Sequence, residues 1–170
     1  MSRIAFVLAD DFEDSEFRKP YDALRAAGHT IEVLGAKVAT VKGKKGKEEV
    51  RIEAAAADRD PSTYDALVIP GGYSPDHLRM DRAVVGFVQR MIRGGKLIAA
   101  VCHGPQLLIE AEGVEGKTLT SFQSVRTDLL NAGAKWVDQE VVIDGKLITS
   151  RKPDDLPAFS AAINKALATG

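Results

Sequence analysis

The sequence predicts an α/β protein in which a mostly parallel sheet carries helices on both faces. Three observations support this. Four short apolar runs, IAFVLA (4–9), IEVLGA (31–36), ALVIP (66–70) and LIAAV (97–101), have the length of strands. Three of the four are almost continuously apolar, as strands covered on both faces must be. Longer amphipathic stretches separate them, giving the strand–helix alternation of a doubly wound sandwich.

After the first run come Asp10, Asp11, Glu13, Asp14 and Glu16, acids favoured where a helix begins. Phe17, Tyr21, Leu24 and Ala27 then recur at spacings of four and three, one apolar helical stripe. The segment 39–53, ATVKGKKGKEEVRIE, reads as a hairpin insertion with Gly43 and Gly46 near its tip. Its lysines at 42, 44, 45 and 47 are followed by Glu48 and Glu49, so a solvated tip is expected. A helix over 82–95 ends in a Gly pair suited to a C-terminus, and further helices are expected over 105–111, 125–132 and 153–167. In EVVIDGKLITS (140–150), Asp144-Gly145 between two alternating runs predicts a two-residue turn in a second hairpin insertion. Without a repeat, low-complexity tract or linker, one domain over 1–170 is expected.

Of the 170 residues 45% are apolar and 28% charged, and the formal net charge is -1, which gives no reason to expect nucleic acid or an anionic membrane as partner. The N-terminal apolar stretch covers only Ile4 to Ala9, too short for a signal peptide, and no run approaches membrane-spanning length. One cysteine cannot form an internal disulfide, so a cytoplasmic setting is expected. Three widely spaced histidines, at 29, 77 and 103, lack the paired signature of a metal site, and no cofactor is expected. AEGVEGKT (111–118) misses the P-loop pattern because Ala111 stands where the first glycine belongs.

The single cysteine lies in LIAAVCHGPQ (97–106), where a strand gives way to a helix. Ala100 and Gly104 flank Cys102 at two residues on either side, the small-x-nucleophile-x-small spacing of a sharp elbow. Pro105 suits a first helical turn, and amides there would favour thiolate over thiol. The sheet's carboxyl edge is also where open α/β folds place their sites. A buried cysteine acting as a small hydrophobe is the plain alternative; position and spacing favour a reactive one. Two other stretches reach that edge. Gly71-Gly72 in VIPGGYSPDHLR can turn a backbone N–H toward the thiol, and ADDFEDSE (9–16) offers five acids, any of which could share its proton. No histidine lies beyond position 103, which excludes a nucleophile followed much later by its base. His103 can serve only if the elbow brings both side chains to one pocket, and His29 reads as a surface residue.

Taken together, ADDFEDSE, ALVIPGGYSPDHLR, AAVCHGPQLL and TSFQSVRTDLLNAGAKWVDQEVVIDGKLITSRKPDDL resemble the ThiJ/PfpI family, in its intracellular-protease-like stress-protein branch. The resemblance runs from the first strand to the last helix and implies a flavodoxin-like three-layer sandwich. It implies Cys102 as nucleophile and Glu13 as a buried, often protonated acid that hydrogen-bonds it. Gly72 and His103 match the positions whose backbone amides form the oxyanion hole. His103 would point to an acid of a neighbouring subunit, here Asp76 where the family pattern has glutamate, so a homodimer or larger homo-oligomer is implied. Phe122 stands where a tyrosine commonly follows Thr-Ser. Family members are described as glyoxalases, protein deglycases or peptidases. The implied activity is therefore cysteine-dependent chemistry on small reactive carbonyls or their protein adducts. Two alternatives are a peptidase acting on denatured proteins through an intersubunit Cys-His-Asp triad, and a redox sensor or chaperone-like stress protein with an oxidisable cysteine.

Overall fold

A computed structural model describes residues 1–169. In chain order, β1 (Arg3–Val7) leads through the acidic loop into α1 (Asp14–Ala26), and β2 (Thr30–Gly35) returns beside β1. The hairpin β3 (Ala39–Lys42) and β4 (Glu49–Ile52) follows, then β5 (Ala54–Ala55), β6 (Ala66–Ile69), α2 (Ser74–Leu78), α3 (Arg82–Arg93) and β7 (Leu97–Val101). The remainder is α4 (Pro105–Glu110), β8 (Thr118–Leu119), α5 (Arg126–Asn131), β9 (Lys135–Trp136), β10 (Val141–Asp144), β11 (Leu147–Ser150) and α6 (Leu156–Thr169). The main sheet has the order β10-β11-β7-β6-β1-β2-β5, and every pairing is parallel except β10 with β11.

Side chains of a strand alternate between faces, so each central strand feeds two cores. From β1, Ala5 and Val7 join Phe87, Val88 and Met91 of α3, Leu107 and Leu108 of α4, and Leu129 of α5. Ile4 and Phe6 face the other way, onto Phe17 and Leu24 of α1 and Phe159 and Ile163 of α6. Burial on both faces is why β1, β6 and β7 read as unbroken apolar runs.

The two expected hairpins have different fates. β3 and β4 pair only with each other. The 140–150 hairpin is not an insertion: β11 lies parallel to β7 inside the main sheet and β10 forms its antiparallel edge. Its turn is also one residue later than expected. Asp144 pairs with Leu147, leaving Gly145 and Lys146 as the loop, with Gly145 at φ 59°. Glycine at the first central position is what a type II′ turn requires.

The chain moves from β1 out to β2 and then returns to β1's other side as β6. This reversal leaves a crevice at the carboxyl ends of β1 and β6, the usual position of a site in such a sheet. Loops 8–13, 70–73 and 102–104 meet there. Among the described residues no helix is long and apolar enough to cross a membrane.

Candidate active site

The elbow after β7 has the expected form. Cys102 sits at φ 62°, in the left-handed region that a residue with a Cβ enters at a cost of about 1 kcal/mol. Three hydrogen bonds hold it: its N–H donates to Ser150 O (3.0 Å), its carbonyl accepts from Phe122 N–H (2.9 Å), and Gly104 N–H donates to Val101 O (2.8 Å). The required small residue is visible at Gly104, where a Cβ would lie 2.5 Å from Ile69 O. Cys102 is 7% exposed.

The acid beside the thiol is Glu16, which corrects the Glu13 assignment implied by the resemblance. Glu16 is fully buried; its Oε1 accepts from Gly71 N–H at 2.9 Å. Its Oε2 has no partner in hydrogen-bond geometry, and the Cys102 side chain is the neighbour able to take a bond from it. Burial pushes the Glu16 carboxyl up to about 8, so it is mostly protonated at neutral pH. Burial also pushes the Cys102 thiol up, and an ionised Glu16 would push it further, while the His103 N–H and the Lys44 charge pull it down. A protonated Glu16 removes that repulsion and offers the sulfur an O–H donor, so the two groups lose their first proton as a pair. Glu13 is buried too, but its carboxylate turns to the hairpin, with Oε1 at 3.4 Å from Lys44 Nζ and 3.1 Å from Lys45 Nζ. The reason is helical phase. Glu13 precedes α1, whereas Glu16, Pro20 and Leu24 are spaced by four along its buried face. That spacing was a legible sequence signal, masked by the crowd of acids around it.

Two glycines close the other side. A Cβ on Gly71 would lie 2.5 Å from Glu16 Oε1 and 3.0 Å from Cys102 Cβ, so the loop passes directly against the pair. Gly72 has φ 73°, and a Cβ there would lie 2.4 Å from Glu13 N. Neither Gly72 N–H nor His103 N–H is used in the backbone hydrogen bonds of the described residues.

His103 does share the pocket with the cysteine. Its Nδ1 is 3.2 Å from Cys102 Sγ and its Nε2 is 3.2 Å from Ser124 Oγ. The ring stacks on Phe122 with centroids 5.1 Å apart. Burial, and secondarily the Lys44 charge, lower its pKa, so the imidazole is neutral and tautomeric at neutral pH. With the Nδ1 proton absent the ring can accept from the thiol; with it present the ring donates to the sulfur. Asp76 lies exposed on α2, and no hydrogen bond or ion pair joins it to His103 within the chain. His77 instead pairs with Asp11 at 3.6 Å. His29 is half-buried, accepting Ser2 N–H at Nδ1 (3.0 Å) with Asn164 Oδ1 at 3.1 Å from Nε2, a tie between the chain ends and no part of this site.

The hairpin tip is solvent-exposed over residues 44–47, as expected, and it is held down from beneath. Asp14 is buried beneath it and accepts the N–H groups of Lys45, Lys47 and Glu48, each at 2.9 Å. Phe12 bridges Gly43 on one side and Gly72 on the other. The tip is thereby stitched to the crevice, and Lys44 and Lys45 stand at its mouth. No sequence pattern singled out Ser124, and Lys44 and Lys45 read only as part of a solvated tip, because all three join the site through long-range packing.

With this geometry in place, comparison with known proteins is decisive about kinship. The DJ-1/PfpI family model matches residues 2–166. The chain belongs to the DJ-1/PfpI family. Within that family it is 49% identical over 162 residues to protein/nucleic acid deglycase 2 of Escherichia coli, covering 93% of each chain. It is 48% identical over 160 residues to general stress protein 18 of Bacillus subtilis, again covering 93% of each. Among solved structures it superposes on a two-domain protein of Anabaena variabilis containing DJ-1/ThiJ/PfpI-like and ferritin-like domains. The TM-score is 0.97 at 41% identity, over 99% of this chain and 48% of that one. The flavodoxin-like sandwich expected from the resemblance is therefore the family's fold.

Proposed function

We propose that this DJ-1/PfpI chain is a cysteine-dependent stress-response enzyme of the hydrolase type, acting on small reactive carbonyls or their protein adducts. The observation that carries the reading is the Glu16–Cys102 pair: a buried carboxyl holding its proton against a sulfur at a strained elbow. Cys102 gives its proton to the neutral His103 ring, and the thiolate so formed adds to an aldehyde carbon, forming a C–S bond while the C=O π pair moves to oxygen. The N–H groups of Gly72 and His103 receive that oxygen, and Glu16 supplies the proton that makes it a hemithioacetal. For a 2-oxo aldehyde, the hemithioacetal C–H proton moves to the neighbouring carbon with the Glu16 carboxylate as carrier, while its O–H proton passes by way of His103 to that carbon's oxygen, giving a 2-hydroxy thioester. Water then releases a 2-hydroxy acid and regenerates the thiol. Similarity to a relative named a deglycase supports the same chemistry on adducts.

The test is methylglyoxal consumption by purified protein. Wild type should consume it and Cys102→Ser should not; equal rates would end this reading. A homodimer belongs to the proposal, supported by the large exposed side chains Tyr73 (63% exposed) and Met80 (82% exposed) just before and after α2, which carries Asp76. Sedimentation of wild type against Met80→Glu checks it, and a monomeric wild type would refute it.

A further inference from the structure

Lys44 occupies a position that no part of the chemistry above uses. Its N–H donates to Phe12 O at 2.9 Å, anchoring it beside the strip that bridges Phe12 to Gly72. Its Nζ lies 3.4 Å from Glu13 Oε1 and 5.8 Å from the centroid of the Tyr73 ring, next to the Gly71-Gly72 loop. Its side chain is 35% exposed, so the ammonium faces the mouth rather than the core. Lys44 and Lys45 share the single Glu13 carboxylate and Glu16 is neutral, so this cluster carries one ammonium charge in excess. Asp10 accepts Lys42 N–H at 3.0 Å. Of the two lysines, only Lys44 acts electrostatically on Cys102, Glu16 and His103 together.

We propose that Lys44 is a specificity-determining residue, favouring carbonyl electrophiles that carry a carboxylate or phosphate besides the reacting carbonyl. A neutral dicarbonyl gains nothing from an ammonium at the mouth. An anionic one is drawn toward it and held with its carbonyl over the thiol. This deepens the proposed function and rests on Cys102 being its nucleophile.

The experiment is alkylation of Cys102 by iodoacetate and by iodoacetamide, which differ mainly in charge. Cys102 is the only cysteine, so intact mass reports one site. The ratio of the two rates, taken within each variant, cancels changes in thiol pKa and general loosening of the site. At low salt the iodoacetate-to-iodoacetamide ratio should fall about fivefold in Lys44→Gln, an effect of the size one unit charge exerts near a protein surface. Lys44→Arg should keep the wild-type ratio and Lys45→Gln should change it much less. Added salt should lower the wild-type ratio and leave that of Lys44→Gln nearly flat. A ratio equal in wild type and Lys44→Gln overturns the inference while leaving the nucleophile intact. Failure of native Cys102 to react with either reagent overturns both.

Discussion

Replacing Glu16 with glutamine should stabilise the fold at neutral pH while impairing the chemistry. Glutamine keeps an acceptor for Gly71 N–H and a donor toward Cys102, so the packing survives. The difference is the proton. The folded carboxyl titrates near 8, against an ordinary value of 4.5. Between those values the unfolded chain gives up a proton that the folded chain retains, so stability falls as pH rises. Each pH unit in that window costs about 1.4 kcal/mol. Wild type should therefore lose about 3 kcal/mol relative to Glu16→Gln between about pH 5 and about pH 7. Near pH 5 the two proteins should be close in stability. At neutral pH the variant should melt about 6–12 °C higher, for a chain of this size. Urea titrations at both pH values, with matched m-values, measure the difference directly. The count of protons is independent of whether sulfur or oxygen loses the first one. A gap that does not change between the two pH values would mean the folded pair has already lost its first proton by pH 5, refuting a pair that keeps both protons at neutral pH.

Other perturbations probe the same geometry. Gly104→Ala drives a Cβ to 2.5 Å from Ile69 O and 3.0 Å from Val101 O, both backbone atoms, and should cost about 3 kcal/mol or more in urea unfolding. A loss under about 1 kcal/mol would mean the elbow can relax. Asp14→Ala strips three half-buried N–H groups of their acceptor and should cost about 1–2 kcal/mol, with faster proteolysis at the hairpin tip. Burial pushes the Asp14 carboxyl up, but the N–H groups of the tip hold it below its ordinary range. Its contribution is thus complete above pH 3.8 and lost only in stronger acid, so the variant and wild type should converge there. Ser124→Ala frees His103 Nε2 and should lower the methylglyoxal rate by about three- to tenfold with little change in melting temperature. An unchanged rate would show that Phe122 stacking alone orients the ring.

The amphipathic helices and the apolar strands were readable because burial leaves a period in the sequence. LIAAV coincides with β7, and Phe17 and Leu24 do mark the inner face of α1. The elbow was readable for a similar reason: a tight turn admits only small residues at fixed offsets, and Gly104 fills such a position. The 140–150 hairpin showed its turn but not its partner. Alternation reveals that a strand has a neighbour without revealing that β11 docks beside β7.

The site divides along the same line. Sequence alone singled out Cys102, its elbow and the absence of a distant histidine, since each is read from residues close together or absent in the chain. It placed five acids near the crevice and could not choose among them. Only the tertiary structure turned Glu16 toward the cysteine and Glu13 toward the hairpin lysines, a matter of helical phase against a neighbouring loop. It alone brought Lys44 to the crevice of Cys102 and Ser124 to His103, from 58 residues before the cysteine and 22 after it in the chain. Electrostatics acts through space, and chain order does not record which charges share a crevice.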